Sequence, residues 1–164
     1  MTGNLIVEWH DSFSVGVKLV DEQHQKLIAF TNKLFGSCMS GNERTKTDSI
    51  FLSVLHEVVD YADYHFSTEE KIMQRINFPD YNMHKHEHVE FGKEVLIKLE
   101  EFKFGKINTA LSFVYYLRDW VLHHIAVSDK KLGSYLLELK RSGSLEQMVV
   151  KVKRDPETDN LQVM

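Results

Sequence analysis

Cysteine, proline and glycine are all scarce in this sequence of 164 residues. The one cysteine, Cys38, excludes an internal disulfide and favours a reducing compartment such as the cytoplasm. Two prolines and eight glycines leave few positions that break helices, so long helices are expected. A basic excess is also missing, because 20 Lys and Arg stand against 24 Asp and Glu. That balance argues against non-specific nucleic-acid binding.

Long hydrophobic runs are missing too. The longest segment without a charge or a histidine is Ile107 to Leu117, well short of the roughly 20 residues that span a bilayer. The first eight residues lack the basic start and apolar stretch of a signal peptide. We therefore expect no membrane association and a cytoplasmic protein. Hydrophobic residues make up 43% of the chain, enough for the core of one domain.

Apolar residues recur at helical spacing in four long segments. The predicted helices span about residues 20–39, 47–77, 81–102 and 109–140, with short turns between them. Four long helices joined by short loops predict an all-α fold, an up-down-up-down antiparallel four-helix bundle. In the first 18 residues apolar side chains alternate with polar ones instead of forming a helical stripe, which predicts an extended N-terminal arm. Ser142-Gly143-Ser144 resembles a joint, so we expect a bundle over residues 1–141 and a C-terminal extension over 142–164, either flexible or a small hairpin.

Histidine, in contrast, is abundant, with nine residues. His65 and Glu69 are four residues apart, as are His84 and His88, so each pair lies on one face of a helix. Either pair alone is weak evidence, because such pairs are also common on polar helix surfaces. Four helices that each offer candidates are stronger evidence, since the cores of helical bundles are where metal sites of this kind are built.

The fourth helix offers His124 and Asp129, and the first offers His24. Five residues correspond to about 140° of offset on an ideal α-helix, so a shared site for His124 and Asp129 requires either that the carboxylate reach round the helix or that the helix be locally irregular. Together the helices offer five histidines and two carboxylates as metal ligands: His24, His65, Glu69, His84, His88, His124 and Asp129.

This arrangement resembles the hemerythrin family, in its bacterial form, over about residues 5–140. The matching motifs are Trp9, Asp21-x-Gln23-His24-x-x-Leu27, His65-Phe66-x-x-Glu69-Glu70, His84-x-x-x-His88 and Trp120-x-x-x-His124-Ile125-x-x-x-Asp129. The resemblance implies a non-haem site with two iron ions, joined by a bridging oxo or hydroxo group and by Glu69 and Asp129. It further implies that His84, His88 and His124 bind one iron, and that His24 and His65 bind the other.

If each iron also binds both bridging carboxylates and the bridging oxo or hydroxo group, one iron has six ligands and the other has five. One position is then open for a small ligand. The resemblance therefore implies reversible binding of dioxygen by a carrier, a store or an oxygen or redox sensor rather than by an enzyme. The Glu-x-x-His motif of ferritin-like di-iron enzymes is missing from the sequence, which favours binding over oxygen activation. The alternatives are a di-iron oxidase, a peroxidase or a nitric-oxide-handling enzyme, or a module whose C-terminal extension reports to a signalling or electron-transfer partner.

A dry oxygen pocket is expected beside the open position, because such a pocket protects bound oxygen from solvent. Its candidate lining residues are Phe66, Trp120, Val121 and Ile125, which follow or share a helical face with the ligands; ordinary core packing is an equal interpretation for all four. The remaining histidines, His10, His56, His86 and His123, lie on other faces and are expected not to bind metal. Glu70 and Glu87 are expected on the solvated surface, and Cys38 has no assigned role.

Overall fold

The computed structural model describes residues 5–39, 44–103 and 109–144, and this part of the chain is dominated by helices. The helices are α1 (Lys18–Met39), α2 (Arg44–Arg75), α3 (Tyr81–Lys103), α4 (Thr109–His124) and α5 (Lys130–Arg141). A π turn (Ile125–Asp129) joins α4 to α5 without a break, so the two form one long fourth helix. The predicted four-helix bundle is confirmed. Residues 145–164, most of the predicted C-terminal extension, lie outside the described residues.

The core consists of two apolar clusters with a polar layer between them. Along α1, Val20 belongs to one cluster and Leu27 to the other, and the buried His24 lies between them. The fourth helix has the same order in reverse, from Val121 through the polar layer to Leu132. Burying polar groups at mid-bundle is unfavourable unless they are paired or bind a metal. This polar layer is therefore the part of the fold that requires a functional explanation.

The N-terminal arm, residues 5–17, is fixed against the bundle by side chains of α1. The Asn32 amide accepts hydrogen bonds from the backbone N–H groups of Ile6 and Val7 and donates one to the Val7 carbonyl. Near the start of α1, the buried Asp21 carboxylate accepts hydrogen bonds from the Ser14 hydroxyl and the Val15 N–H, both at 2.7 Å. The predicted arm is thus an ordered part of the domain.

The arm also packs closely against α5. A Cβ atom at Gly133 would lie 2.1 Å from the carbonyl oxygen of Val15, so only glycine fits this position. The Lys130 ammonium group donates a hydrogen bond to the Ser14 carbonyl on the same side. These contacts hold the arm beside the helix that follows the π turn. Within the described residues, no helix combines the length and apolar content needed to cross a bilayer.

Candidate metal centre

All seven candidate ligands lie in the polar layer, and none is more than 5% exposed. Every helix of the bundle contributes to the set. The ligands are His24 from α1, His65 and Glu69 from α2, His84 and His88 from α3, and His124 and Asp129 from the fourth helix. The structure therefore brings together all of the side chains that the spacing selected.

The seven side chains form two overlapping clusters. One consists of Glu69, His84, His88 and His124, and the other of His24, His65, Glu69 and Asp129. In each cluster one ligand atom per residue lies within 4.8 Å of all the others. Glu69 belongs to both clusters. The two clusters are arranged as two adjacent metal sites with a shared carboxylate would require.

Asp129 also reaches both groups of histidines. Its Oδ2 lies 3.0 Å from the Nε2 of His24, and its Oδ1 lies 3.2 Å from the Nε2 atoms of His84 and of His124. The π turn makes this position possible. Hydrogen bonds from residue i+5 to residue i replace the α-helical pattern there, and the Lys130 N–H donates to the Ile125 carbonyl. Of the two possibilities that the spacing of His124 and Asp129 left open, the structure has the local irregularity.

Hydrogen bonds fix the orientation of three of the imidazole rings. The Nδ1 of His65 lies 3.0 Å from the amide oxygen of Gln23, and the Nδ1 of His88 lies 3.3 Å from Glu70 Oε1. The Nδ1 of His124 contacts Glu87 Oε2 at 2.9 Å. An amide or carboxylate oxygen can only accept, so each Nδ1 carries the proton. With the proton on Nδ1, Nε2 is the ring atom that can offer a lone pair to a metal in the site, as in known metal ligands.

Glu70 and Glu87 were expected on the solvated surface, and that expectation is wrong. Both are half-buried, and each holds a candidate ligand from another helix: Glu70 on α2 contacts His88 on α3, and Glu87 on α3 contacts His124 on α4. Helical periodicity relates residues of one helix only. These contacts depend on the rotation and register of two helices, which the sequence pattern does not contain.

The carboxylates of the site stay ionised. Burial raises the pKa of Glu69 and Asp129, but the surrounding histidines outweigh burial, so the pKa of Glu69 lies well below its usual range and that of Asp129 at about 2. The hydrogen bond with His124 lowers the pKa of Glu87 to about 2. The site therefore presents concentrated negative charge to a cation.

The histidines respond in opposite directions. Burial lowers the pKa of His65 to about 4, so this ring is neutral at physiological pH. Burial also lowers the pKa of His84, but contacts with Asp129 and Glu69 outweigh it and raise the pKa to about 10. The pKa of His124 is likewise raised by Asp129, Glu87 and Glu69 against the effect of burial. Without a metal, protons on these rings partly balance the two buried carboxylates.

The buried polar atoms fit metal ions. Both oxygens of Glu69, both of Asp129 and both ring nitrogens of His24 are buried without a hydrogen-bond partner among the described residues. The Nε2 of His124 lies 3.1 Å from the Nε2 atoms of His84 and of His88. Adjacent ligands of an octahedral metal at about 2.1 Å are roughly 3.0 Å apart, whereas tetrahedral ligands are roughly 3.4 Å apart. The observed spacing lies in the range expected for side chains that bind one metal ion.

The four candidate pocket residues surround this centre. Phe66 stacks on the His88 ring with centroids 4.0 Å apart, and Trp120 stacks on His124 at 4.5 Å. Both line an enclosed apolar cavity together with Val121. Ile125 is 1% exposed and belongs to the same apolar cluster, although it does not line the cavity.

The cavity lies one helical turn from the ligands on all four helices. Leu27 follows His24 by three residues and Ala62 precedes His65 by three, and the cavity is lined in the same way by Phe91 and Val121. Its volume of about 10 Å³ is near the lower limit for one water-sized molecule. A space of this size excludes larger molecules such as organic substrates.

The four other histidines, His10, His56, His86 and His123, are exposed. The nearest carboxylate to His86 is that of Glu90 on the same helix, 4.0 Å away, and 70% of the His86 side chain is exposed. Their predicted exclusion from the metal centre agrees with these positions. Cys38 is half-buried, and burial raises the pKa of its thiol.

Known proteins resemble this chain over most of its length. Residues 15–136 match the family described as the hemerythrin HHE cation binding domain. A hemerythrin-like protein of Naegleria gruberi is 30% identical, with 78% of this chain and 92% of that protein covered. A bacteriohemerythrin of Clostridium acetobutylicum is 27% identical, with 75% and 95% covered. The crystal structure of a wild-type hemerythrin superposes with a TM-score of 0.70 at 28% identity, and covers 79% of this chain and 96% of its own.

Proposed function

Because the chain belongs to the hemerythrin family, whose members are oxygen-binding non-haem di-iron proteins, we propose that its polar layer holds two iron ions joined by an oxo or hydroxo bridge. His84, His88 and His124 hold one iron, and His24 and His65 hold the other. Glu69 and Asp129 bridge the pair. The Nε2 spacing and the shared position of Glu69 support this division.

The single observation that supports reversible dioxygen binding is the position of the apolar cavity. The iron with only two histidines has one coordination position free of protein ligands. Leu27 and Ala62, one turn from its ligands His24 and His65, line the cavity, which borders the turns next to His88 and His124 as well. This apolar space of about 10 Å³ would have to expand to hold dioxygen, and its apolar lining limits access of water and protons.

When bound, the two irons supply the electrons that make dioxygen binding reversible. The chain's own residues provide the surroundings. Gln23, Glu70 and Glu87 hold three of the imidazole rings in the tautomer that leaves Nε2 free. Phe66 and Trp120 cover the rings of His88 and His124 on the cavity side and exclude water from them.

Binding is favoured over catalysis because the acidic groups near the centre are already engaged. Glu70 and Glu87 accept hydrogen bonds from ligand histidines. The polar group among the cavity residues is the Thr31 hydroxyl, which donates to the Leu27 carbonyl one turn earlier. Among the described residues that line the cavity, none is an acid or base able to transfer a proton to a bound ligand.

The decisive experiment loads the full chain with ferrous iron without oxygen and measures iron by mass spectrometry. Two irons per chain are expected. Admitting oxygen should then produce a ligand-to-iron charge-transfer absorption that disappears when oxygen is removed. A colourless protein, or one that holds fewer than two irons, contradicts the proposal. An absorption that decays irreversibly while an added substrate is oxidised would favour an enzyme instead.

A matched pair of variants tests the ligand assignment. His88→Gln removes a buried candidate ligand, and His86→Gln changes an exposed histidine two residues away on the same helix. We expect His88→Gln to lose most of one iron per chain because an octahedral site then lacks a ligand. His86→Gln should retain both irons. Iron loss in both variants, or in neither, would overturn the assignment.

We further propose that residues 1–141 form the oxygen-binding unit, that residues 142–164 connect it to a signalling or electron-transfer partner, and that the protein works in the cytoplasm. The single cysteine supports this location. Limited proteolysis of the deoxygenated and oxygenated protein tests the sensor role. A change in cleavage within residues 142–164 supports a sensor, and identical patterns favour a carrier or store.

A further inference from the structure

Glu87 contacts the fourth helix at two residues, one immediately before the π turn and one near its end. Its Oε2 accepts a hydrogen bond from Nδ1 of His124 at 2.9 Å, immediately before the turn. The same oxygen accepts a hydrogen bond from the Ser128 hydroxyl at 2.6 Å, within the turn. Asp129 follows Ser128 directly. One carboxylate from α3 thus lies against both sides of the segment that separates the two ligands.

The π turn needs such support because it is a less favourable helix geometry. π helices are rare and occur mostly as single turns within α-helices. An ordinary α-helix through the same residues would rotate Asp129 away from His124 by about 140°. The carboxylate of Asp129 contacts His24 and His84 only because the turn is retained.

We propose that Glu87 is a positioning residue that holds the π turn and thereby keeps Asp129 between the two groups of histidines. Its hydrogen bond to His124 fixes the start of the turn, and its hydrogen bond to Ser128 fixes the turn itself. The consequence for iron binding rests on the proposed function, whereas the effect on the π turn is expected in the metal-free protein as well.

Glu70 provides a control within the same protein. Like Glu87, it is next to a candidate ligand in sequence and accepts a hydrogen bond from a ligand histidine on another helix, His88. Its other partner, however, is the ammonium group of Lys85 on α3, at 2.8 Å, and not a residue of the π turn. Removing Glu70 should therefore loosen one ligand and leave the turn in place.

The variants separate geometry from charge. Glu87→Ala removes both hydrogen bonds, and Ser128→Ala removes one. In Glu87→Gln the amide oxygen can take the place of Oε2 and accept from both the His124 N–H and the Ser128 hydroxyl. The glutamine variant therefore retains the geometric link and loses only the negative charge. Glu70→Ala is the matched control.

The experiment measures amide hydrogen exchange in residues 125–130 by mass spectrometry, in the full chain with iron and in the metal-free chain. Hydrogen bonds to charged groups are strong enough that Glu87→Ala should accelerate exchange in this segment by about tenfold or more. Ser128→Ala should have a smaller effect in the same segment. Glu87→Gln should stay near the wild-type rate, and Glu70→Ala should leave this segment unchanged.

A second measurement follows release of iron to a chelator. Glu87→Ala should release both irons faster because Asp129 bridges them, and Glu87→Gln should restore much of the wild-type rate. Unchanged exchange in residues 125–130 of Glu87→Ala, or an equal change in Glu70→Ala, would overturn the proposal. If the wild-type chain binds no iron pair, the proposed function fails, while exchange in the metal-free chain still tests the role of Glu87.

Discussion

Replacing Gly133 with alanine tests whether the N-terminal arm stabilises the domain. The new Cβ would lie 2.1 Å from the Val15 carbonyl oxygen and 3.0 Å from the Val15 Cβ. Ordinary contact begins near 3.4 Å, so the arm must move back by about 1.3 Å to relieve the overlap. Backbone faces the new methyl group, and a side-chain rotation cannot relieve the overlap.

The energetic cost follows from what the movement breaks. The Val15 N–H donates to the buried Asp21 carboxylate at 2.7 Å, and losing a hydrogen bond to a charged group costs about 1.5–3 kcal/mol. Val15 and Val17 are 5% and 1% exposed, and partial exposure of these side chains adds about 1–2 kcal/mol. We expect Gly133→Ala to lower the free energy of unfolding by about 2.5–5 kcal/mol, which lowers Tm by roughly 5–20 °C in a chain of this size.

Calorimetry of the metal-free protein in a chelator measures this change without a contribution from metal binding. Gly92→Ala is the matched control, because Gly92 lies inside α3 and a Cβ atom added there would meet no heavy atom within 4 Å. That variant should gain about 0.5–1 kcal/mol from the higher helix propensity of alanine. If Gly133→Ala lost less than about 1 kcal/mol, the arm would not be a stabilising part of the fold.

Three further predictions concern the metal and the arm. Removing iron should lower Tm by roughly 8–16 °C, because a ligand at a thousand times its Kd stabilises a protein by about 4 kcal/mol. Calorimetry with and without a chelator measures the change in Tm, and equal Tm values would contradict the prediction. Loading the metal-free chain at pH 7.5 should release protons, since the pKa of His84 is about 10 and a metal binds only the neutral ring. An indicator dye in weak buffer measures the release, and a His84→Gln variant should release fewer protons than the wild-type chain. Asn32→Ala removes three hydrogen bonds to the backbone of Ile6 and Val7. Limited proteolysis should therefore cut the arm earlier than in the wild-type chain, and an unchanged cleavage rate would show that other contacts hold the arm in place.

The fold could be predicted from the sequence because each helix is indicated by its own apolar periodicity and each turn by its own residues. The predicted third helix begins at Tyr81, as observed, and ends one residue early. The second helix was predicted to end at Asn77, but α2 ends at Arg75. Asn77 has a φ of 50°, a left-handed conformation that helices use to terminate. Periodicity alone does not distinguish such a terminating residue from a helical one.

The ligand histidines were accessible for the same reason. A pair such as His84 and His88 is defined by spacing along one helix, and its burial follows from the helical face that it shares with Phe91. The partners of the ligands were not accessible. Gln23 is 42 residues from His65 in sequence, and their contact exists only after α1 and α2 have packed. A pattern within one helix contains no information about such pairs.

The π turn shows how a misfit in the sequence can locate a functional constraint. His124 and Asp129 do not share a face of an ideal helix, and the metal-site interpretation therefore required a carboxylate that reaches round the helix or a distortion between them. The structure contains that distortion at Ile125–Asp129, and a carboxylate from α3 supports it. A ligand pair that departs from the helical repeat by one residue is accommodated here by a π turn, and we infer that a residue of another helix holds that turn. Glu87 occupies that position, although its own spacing placed it on the surface.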